Sequence, residues 1–132
     1  MESSAYQFSL MDSIPYAEQA KELVVFVDSA AKEGSLKAEM DKFYDAYLEQ
    51  NMDKVEKITM EMDCTLIKYA DMLLYNRNRN WVVKLKKLMP EKSVVVAVGA
   101  GHLPGKNGLI DLLKKEGYEV TALENNFSKG KK

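Results

Sequence analysis

The sequence predicts an α/β fold: a mostly helical chain that ends in a short β-α-β unit. Residues 1–90 repeat apolar positions at helical spacing. Residues 93–98, Ser-Val-Val-Val-Ala-Val, are a β-branched run that is apolar on both faces, as in a strand covered by helices. Residues 118–123 alternate behind a short amphipathic segment at 109–116. The 132 residues fit one domain, read as a helical segment at 1–90, a β-α-β segment at 91–125 and a basic tail at 126–132.

The helices follow in order. Ser13 can cap a helix whose first turn holds Pro15, where a missing N–H costs nothing. Leu23, Phe26, Val27 and Ala30 continue it, Gly34 ends it and Ser35 caps the next. Leu36, Met40, Phe43, Tyr44 and Tyr47 then make one apolar face. Asn51 or Asp53 opens a segment through Val55, Ile58 and Met62, and the pattern runs on to Leu74. A break is expected near residues 76–80, where Asn76, Asn78 and Asn80 read as polar positions around it. A last helix carrying Trp81, Val82, Leu85 and Leu88 stops before Pro90. The eight methionines read as core fillers on these faces.

Composition narrows the function. With 46% hydrophobic and 30% charged residues, the chain has the balance of a soluble globular protein. A net charge of -1 speaks against nucleic-acid binding, which needs a basic excess. Lys129, Lys131 and Lys132 read as a solubilising tail. No apolar run is long enough to span a membrane, and the first residues carry Glu2 without the basic stretch of a signal peptide. Cys64 is the single cysteine, so no intramolecular disulfide is expected.

The strand reading leaves a deficit. A two-stranded sheet is marginal alone, yet residues 94–98 have the character of a central strand. No other segment looks like a strong strand. The sheet is therefore expected to be completed by a second copy, another chain or a missing half.

Chemistry concentrates at Val98-Gly99-Ala100-Gly101-His102-Leu103-Pro104-Gly105, where a strand end leads into a glycine-rich turn bearing the chain's single histidine. Such strand ends are where α/β proteins hold their sites. An imidazole there can bind a metal or move a proton. It can equally donate to a carbonyl and shape the turn. A phosphate-binding turn is disfavoured because Pro104 and Gly105 delay the following helix. Glu124 reads as solvated.

These residues resemble the closing stretch of the TraB/PrgY/GumN family, which includes the Tiki-like proteases. The family's Gly-x-x-His motif is matched by Gly99-Ala100-Gly101-His102, followed by Gly108-Leu109-Ile110 and Gly117-Tyr118. Leu74-Tyr75-Asn76-Arg77-Asn78 is similar to its Arg-Asn segment, and Met1-Glu2-Ser3 with Gln7 to its Leu-Glu-Thr…Gln segment. The resemblance implies the carboxyl-terminal half of a metal-dependent, peptidase-like hydrolase acting on a peptide or protein. It implies His102 and Glu2 as ligands of a divalent metal, and Glu2, His102 and Arg77 as catalytic residues, Arg77 holding Glu2 or stabilising an oxyanion. Gly99 and Gly101 would form the cofactor-binding turn. Relatives carry a first Gly-x-x-His motif that this sequence lacks. The chain alone is therefore expected to be inactive and to work as a homo-oligomer or with a missing amino-terminal half. Many relatives are bacterial and exported, which leans toward the cell envelope. The alternative is a non-catalytic interaction domain associating through its exposed sheet edge, or a binder of a peptide or haem with His102 as axial ligand.

Overall fold

A computed structural model of the protein describes residues 2–31, 35–61 and 65–123. The expected positions at Gly34, Met62, Cys64 and Glu124 and the basic tail lie outside them. Seven α-helices run along the described residues: α1 (Ser4–Asp12), α2 (Tyr16–Ala31), α3 (Ser35–Leu48), α4 (Met52–Glu61), α5 (Thr65–Lys68), α6 (Asn76–Leu88) and α7 (Leu109–Lys115). A π-helical turn (Asp71–Tyr75) leads into α6, and a 3₁₀ turn (Ala100–His102) precedes α7.

The β-α-β expectation is wrong. Residues 93–99 and 118–123 carry no regular secondary structure, and no strand forms among the described residues. A strand exists by pairing its N–H and C=O groups with a neighbour, and neither segment pairs with the other. The β-branched run favours a strand without supplying a partner. The predicted crossover helix does form, as α7, yet it packs on α6 rather than on a sheet.

Local chemistry explains most helix ends. Ser3 caps α1, its Oγ accepting from Tyr6 N at 3.2 Å. Ser13, expected to open α2, instead closes α1 by donating to Ser9 O at 2.7 Å. Pro15 then stands just ahead of α2, its carbonyl accepting from Glu18 N and Gln19 N at 2.9 and 3.1 Å. Asn51 caps α4, its Oδ1 accepting from Lys54 N at 3.0 Å. Gly117 ends α7 at φ 88°, with Gly117 N bonding Lys114 O and Tyr118 N bonding Leu113 O at 3.0 and 3.1 Å. That crossed pair is a Schellman closure, which favours glycine.

The interior is small. Trp81 and Val82 of α6 and Leu109 of α7 form its centre, with Val98, Leu112 and Leu113 against them. Ile14, Ala46, Val55, Leu73, Leu74 and Leu85 are also buried. The expected apolar faces of α2 and α3 are largely uncovered: Leu23, Phe26, Val27, Met40, Tyr44 and Tyr47 are all exposed. Met11 and Met60 are exposed too, so core filling does not describe the methionines as a group.

A candidate site at the α6–loop junction

The π turn and α6 form one continuous helical run, so the break expected at 76–80 falls one turn earlier, at residues 71–75. Along α6, Asn78, Trp81, Val82 and Leu85 are buried, which is the i, i+3, i+4, i+7 stripe of a core-facing helix. Asn78 is therefore not a surface position. It is fully buried, and an amide at such a position requires partners.

Those partners are the loop after residue 99. Asn78 Nδ2 donates to His102 O at 3.2 Å and to Asn107 O at 2.8 Å. Its Oδ1 lies 2.7 Å from His102 Nδ1. Because the amide nitrogen faces two carbonyls, the amide oxygen must face the imidazole, and an amide oxygen can only accept. Nδ1 therefore carries the proton, and Nε2 keeps its lone pair. One buried side chain thus fixes the loop to α6 and sets the tautomer of the histidine.

The 3₁₀ turn places the ring. His102 N donates to Gly99 O at 3.0 Å and Leu103 N to Ala100 O at 3.1 Å. His102 itself is 7% exposed. Its ring lies 4.7 Å from the Trp81 ring, tilted by 44°, and the Arg77 guanidinium lies over the same indole at 4.9 Å. Burial, and then the Arg77 charge, push the His102 pKa down from 6.5 to about 4, against an opposing pull from Glu2. The ring is neutral at pH 7.

Arg77 and Glu2 form the charged flank. Arg77 Nε and Nη2 donate to Glu2 Oε2 at 3.0 and 2.9 Å, and Nη1 donates to Leu73 O at 2.9 Å. The two side chains are 16% and 7% exposed. A two-pronged contact of this kind fixes the geometry of both groups. Glu2 enters from the turn before α1, Arg77 from α6 and His102 from the loop, and all three line one cleft of about 450 Å³. Gly99 also lines it, together with residues 94–98. Gly101 does not line it.

A catalytic zinc keeps about three protein ligands and one open position. The cleft offers His102 Nε2 and a carboxylate already engaged by Arg77. No group of three His, Cys, Asp or Glu residues converges among the described residues. They do not make a metal centre on their own.

The profile of the TraB/PrgY/gumN family matches residues 1–122. The chain belongs to this family. Within it, this TraB-family chain is 47% identical over 51 residues to Metalloprotease TIKI1 of Xenopus tropicalis, covering 36% of the chain and 10% of that protein. It is 43% identical over 51 residues to Metalloprotease TIKI1 of Homo sapiens, covering 36% of the chain and 10% of that protein. It is 36% identical over 55 residues to a Metalloprotease TIKI homolog of Nematostella vectensis, covering 39% of the chain and 12% of that protein. The matched stretch therefore spans about a tenth of the length of these relatives. No solved structure gives a significant match. No helix among the described residues is long and apolar enough to cross a membrane.

Sequence reasoning missed Asn78 and the extent of Trp81's involvement. The signal for Asn78 was present: a lone amide within an otherwise apolar i, i+3, i+4, i+7 stripe.

Proposed function

We propose that this chain carries one side of a metal-dependent, peptidase-like site and corresponds to the carboxyl-terminal half of its family's domain. The observation that supports this is His102: buried in a cleft wall, neutral, its Nδ1–H committed to Asn78 and its Nε2 without a hydrogen-bond partner among the described residues. Metal-binding histidines are oriented in this way, with the second nitrogen held by a neighbouring acceptor. His102 supplies one ligand atom, and ligands beyond those of this chain come from the rest of the family's domain. Glu2, held by Arg77, is the second ligand or the general base, and the cleft takes a peptide. Similarity to relatives named metalloproteases supports the same reading.

Zinc titration of the full chain and of His102→Gln tests it, first alone and then with the upstream half of a family member added in trans. His102-dependent zinc uptake in either setting is the expected result. Uptake that is absent in both, or equal in the two proteins, would overturn the reading.

A second reading is a non-catalytic binding domain, favoured by the exposure of Leu23, Val24, Val25, Phe26 and Val27 on α2. Monomers seldom leave so continuous an apolar surface open. The expected association through a sheet edge has no sheet to act on, so contact through this helix takes its place. Sedimentation of the chain separates the two: a monomer that binds zinc through His102 fits the first reading alone.

A further inference from the structure

Trp81 is 5% exposed, and its Nε1 is buried without a hydrogen-bond partner. It is the one side-chain donor or acceptor in that state among the described residues. Leaving a buried donor unpaired costs about 1–3 kcal/mol, and folded proteins keep few such groups. The same indole lines the cleft that holds His102, Arg77 and Glu2.

The cleft wall adds a second observation. Residues 94–98 line it and pair with no strand among the described residues. Val95 is 97% exposed, whereas Val94 and Val96 are each 37% exposed. A segment with unpaired N–H and C=O groups is suited to an extended peptide, which offers groups to match them. Without ladder bonds, this wall can also shift, as it must if an acceptor is to reach a nitrogen that is closed to solvent here.

We propose that the Trp81 Nε1–H is a ligand contact: it donates a hydrogen bond to a main-chain carbonyl of a peptide lying in the cleft beside residues 94–98. The role rests on the reading of this cleft as a peptide site. It gives Trp81 a positioning function, holding one carbonyl beside the imidazole.

The chain has one tryptophan, so a ¹⁵N-labelled sample gives a single indole N–H resonance. Acetyl-tetra-alanine-amide is the probe, because it offers main-chain groups and almost nothing else. Sodium acetate in a parallel titration separates an amide carbonyl from a carboxylate as the acceptor. The expected result is a saturable downfield shift of the indole resonance with the peptide and not with acetate. Trp81→Phe, followed through the His102 ring signals, then binds the same peptide roughly threefold to tenfold more weakly, as expected for loss of one hydrogen bond. An indole signal unmoved at millimolar peptide means that no peptide carbonyl reaches the donor, and overturns the proposal. So does a shift produced by acetate alone, or equal peptide binding by Trp81→Phe. The labelled natural chain decides the matter by itself if the variant does not fold. Zinc added to the same sample separates the two ideas: zinc that reaches His102 while peptide leaves the indole unmoved sinks this contact and spares the metal reading. The reverse pattern spares the contact and leaves the metal reading to the titration with the upstream half, where absent uptake sinks it.

Discussion

Asn78 Oδ1 accepts the Nδ1 proton of His102 across 2.7 Å, while the same amide donates to the carbonyls of His102 and Asn107. The histidine and the loop that carries it are therefore held by a single side chain on α6. Removing that side chain affects fold and site together, whereas changing its charge adds a direct report from the imidazole.

Asn78→Leu keeps the volume and removes all three contacts. It leaves the buried His102 carbonyl, the part-buried Asn107 carbonyl and one imidazole N–H without their partner. The expected loss is about 2–4 kcal/mol, read from urea unfolding. A loss below about 1 kcal/mol would mean that water replaces the amide, and the loop is not fixed as described.

Asn78→Asp is the informative partner. A carboxylate still accepts from Nδ1 but cannot donate to the two carbonyls. Its negative charge stabilises the imidazolium, so the His102 pKa moves up from its depressed value of about 4. The chain has one histidine, so an NMR titration follows it without assignment. An unchanged or lower pKa would contradict the contact.

The depressed pKa has a thermodynamic consequence. With His102 titrating near 4 in the fold and near 6.5 in the unfolded chain, the unfolded state binds more protons between those values. Stability from the neutral, buried ring is complete above about pH 6.5 and is lost as pH falls toward 4. The groups facing the ring are Arg77, which reinforces the depression, and Glu2, which opposes it. Thermal melts at several pH values should show Tm falling across this window for the natural chain and falling less for His102→Gln. Parallel curves for the two proteins would place the cause in other groups.

Arg77→Met tests the charged flank. The Glu2 carboxylate, 7% exposed, loses its partner, and breaking a buried ion pair from one side costs about 3–5 kcal/mol. The same change removes a positive charge near His102, so the imidazole pKa should rise. Arg77→Lys keeps the charge but not the two-pronged contact with Glu2, nor a guanidinium over Trp81, and should fall between the two. If Arg77→Met is as stable as the natural chain, Glu2 is free to move, and its place in the cleft is not fixed by Arg77.

How much of this was legible in the sequence differs by element. Helix spacing made α2, α3, α4 and α6 readable, because the 3.6-residue period is carried by each segment alone. The segment at 93–98 reads as a strand in sequence yet forms none, since pairing is a property of two segments and the sequence shows one. Exposure of Leu23 and Phe26 was hidden for the same reason: an apolar stripe states what a helix would bury, not whether a partner is present. Glu2, Arg77 and His102 could be named from motifs that lie far apart in the chain. Their shared cleft could not, because it depends on α1 and the 3₁₀ turn both meeting the flank of α6. Asn78 was the reverse case, detectable from its position in the stripe yet obscured by the two asparagines beside it.

The glycines provide the last test, because spacing and structure rank them differently. The motif singles out Gly99 and Gly101. A Cβ on Gly101 meets nothing within 4 Å, and one on Gly99 comes no nearer than 3.9 Å to His102 Cδ2. Gly108 is a different case: a Cβ there would lie 2.1 Å from Pro104 O and 2.3 Å from Leu103 O. Both are backbone atoms of the loop that carries His102, and they cannot move aside as a flexible side chain would. Gly101→Ala should therefore change stability by no more than about 0.5 kcal/mol. Gly108→Ala should cost about 1–3 kcal/mol or more, as overpacking does, and should shift the His102 ring signals by displacing the loop. The opposite order of the two variants would mean that the turn at Gly101 is tighter than its backbone indicates and that the close approach of the 103–104 carbonyls to Gly108 does not hold in solution.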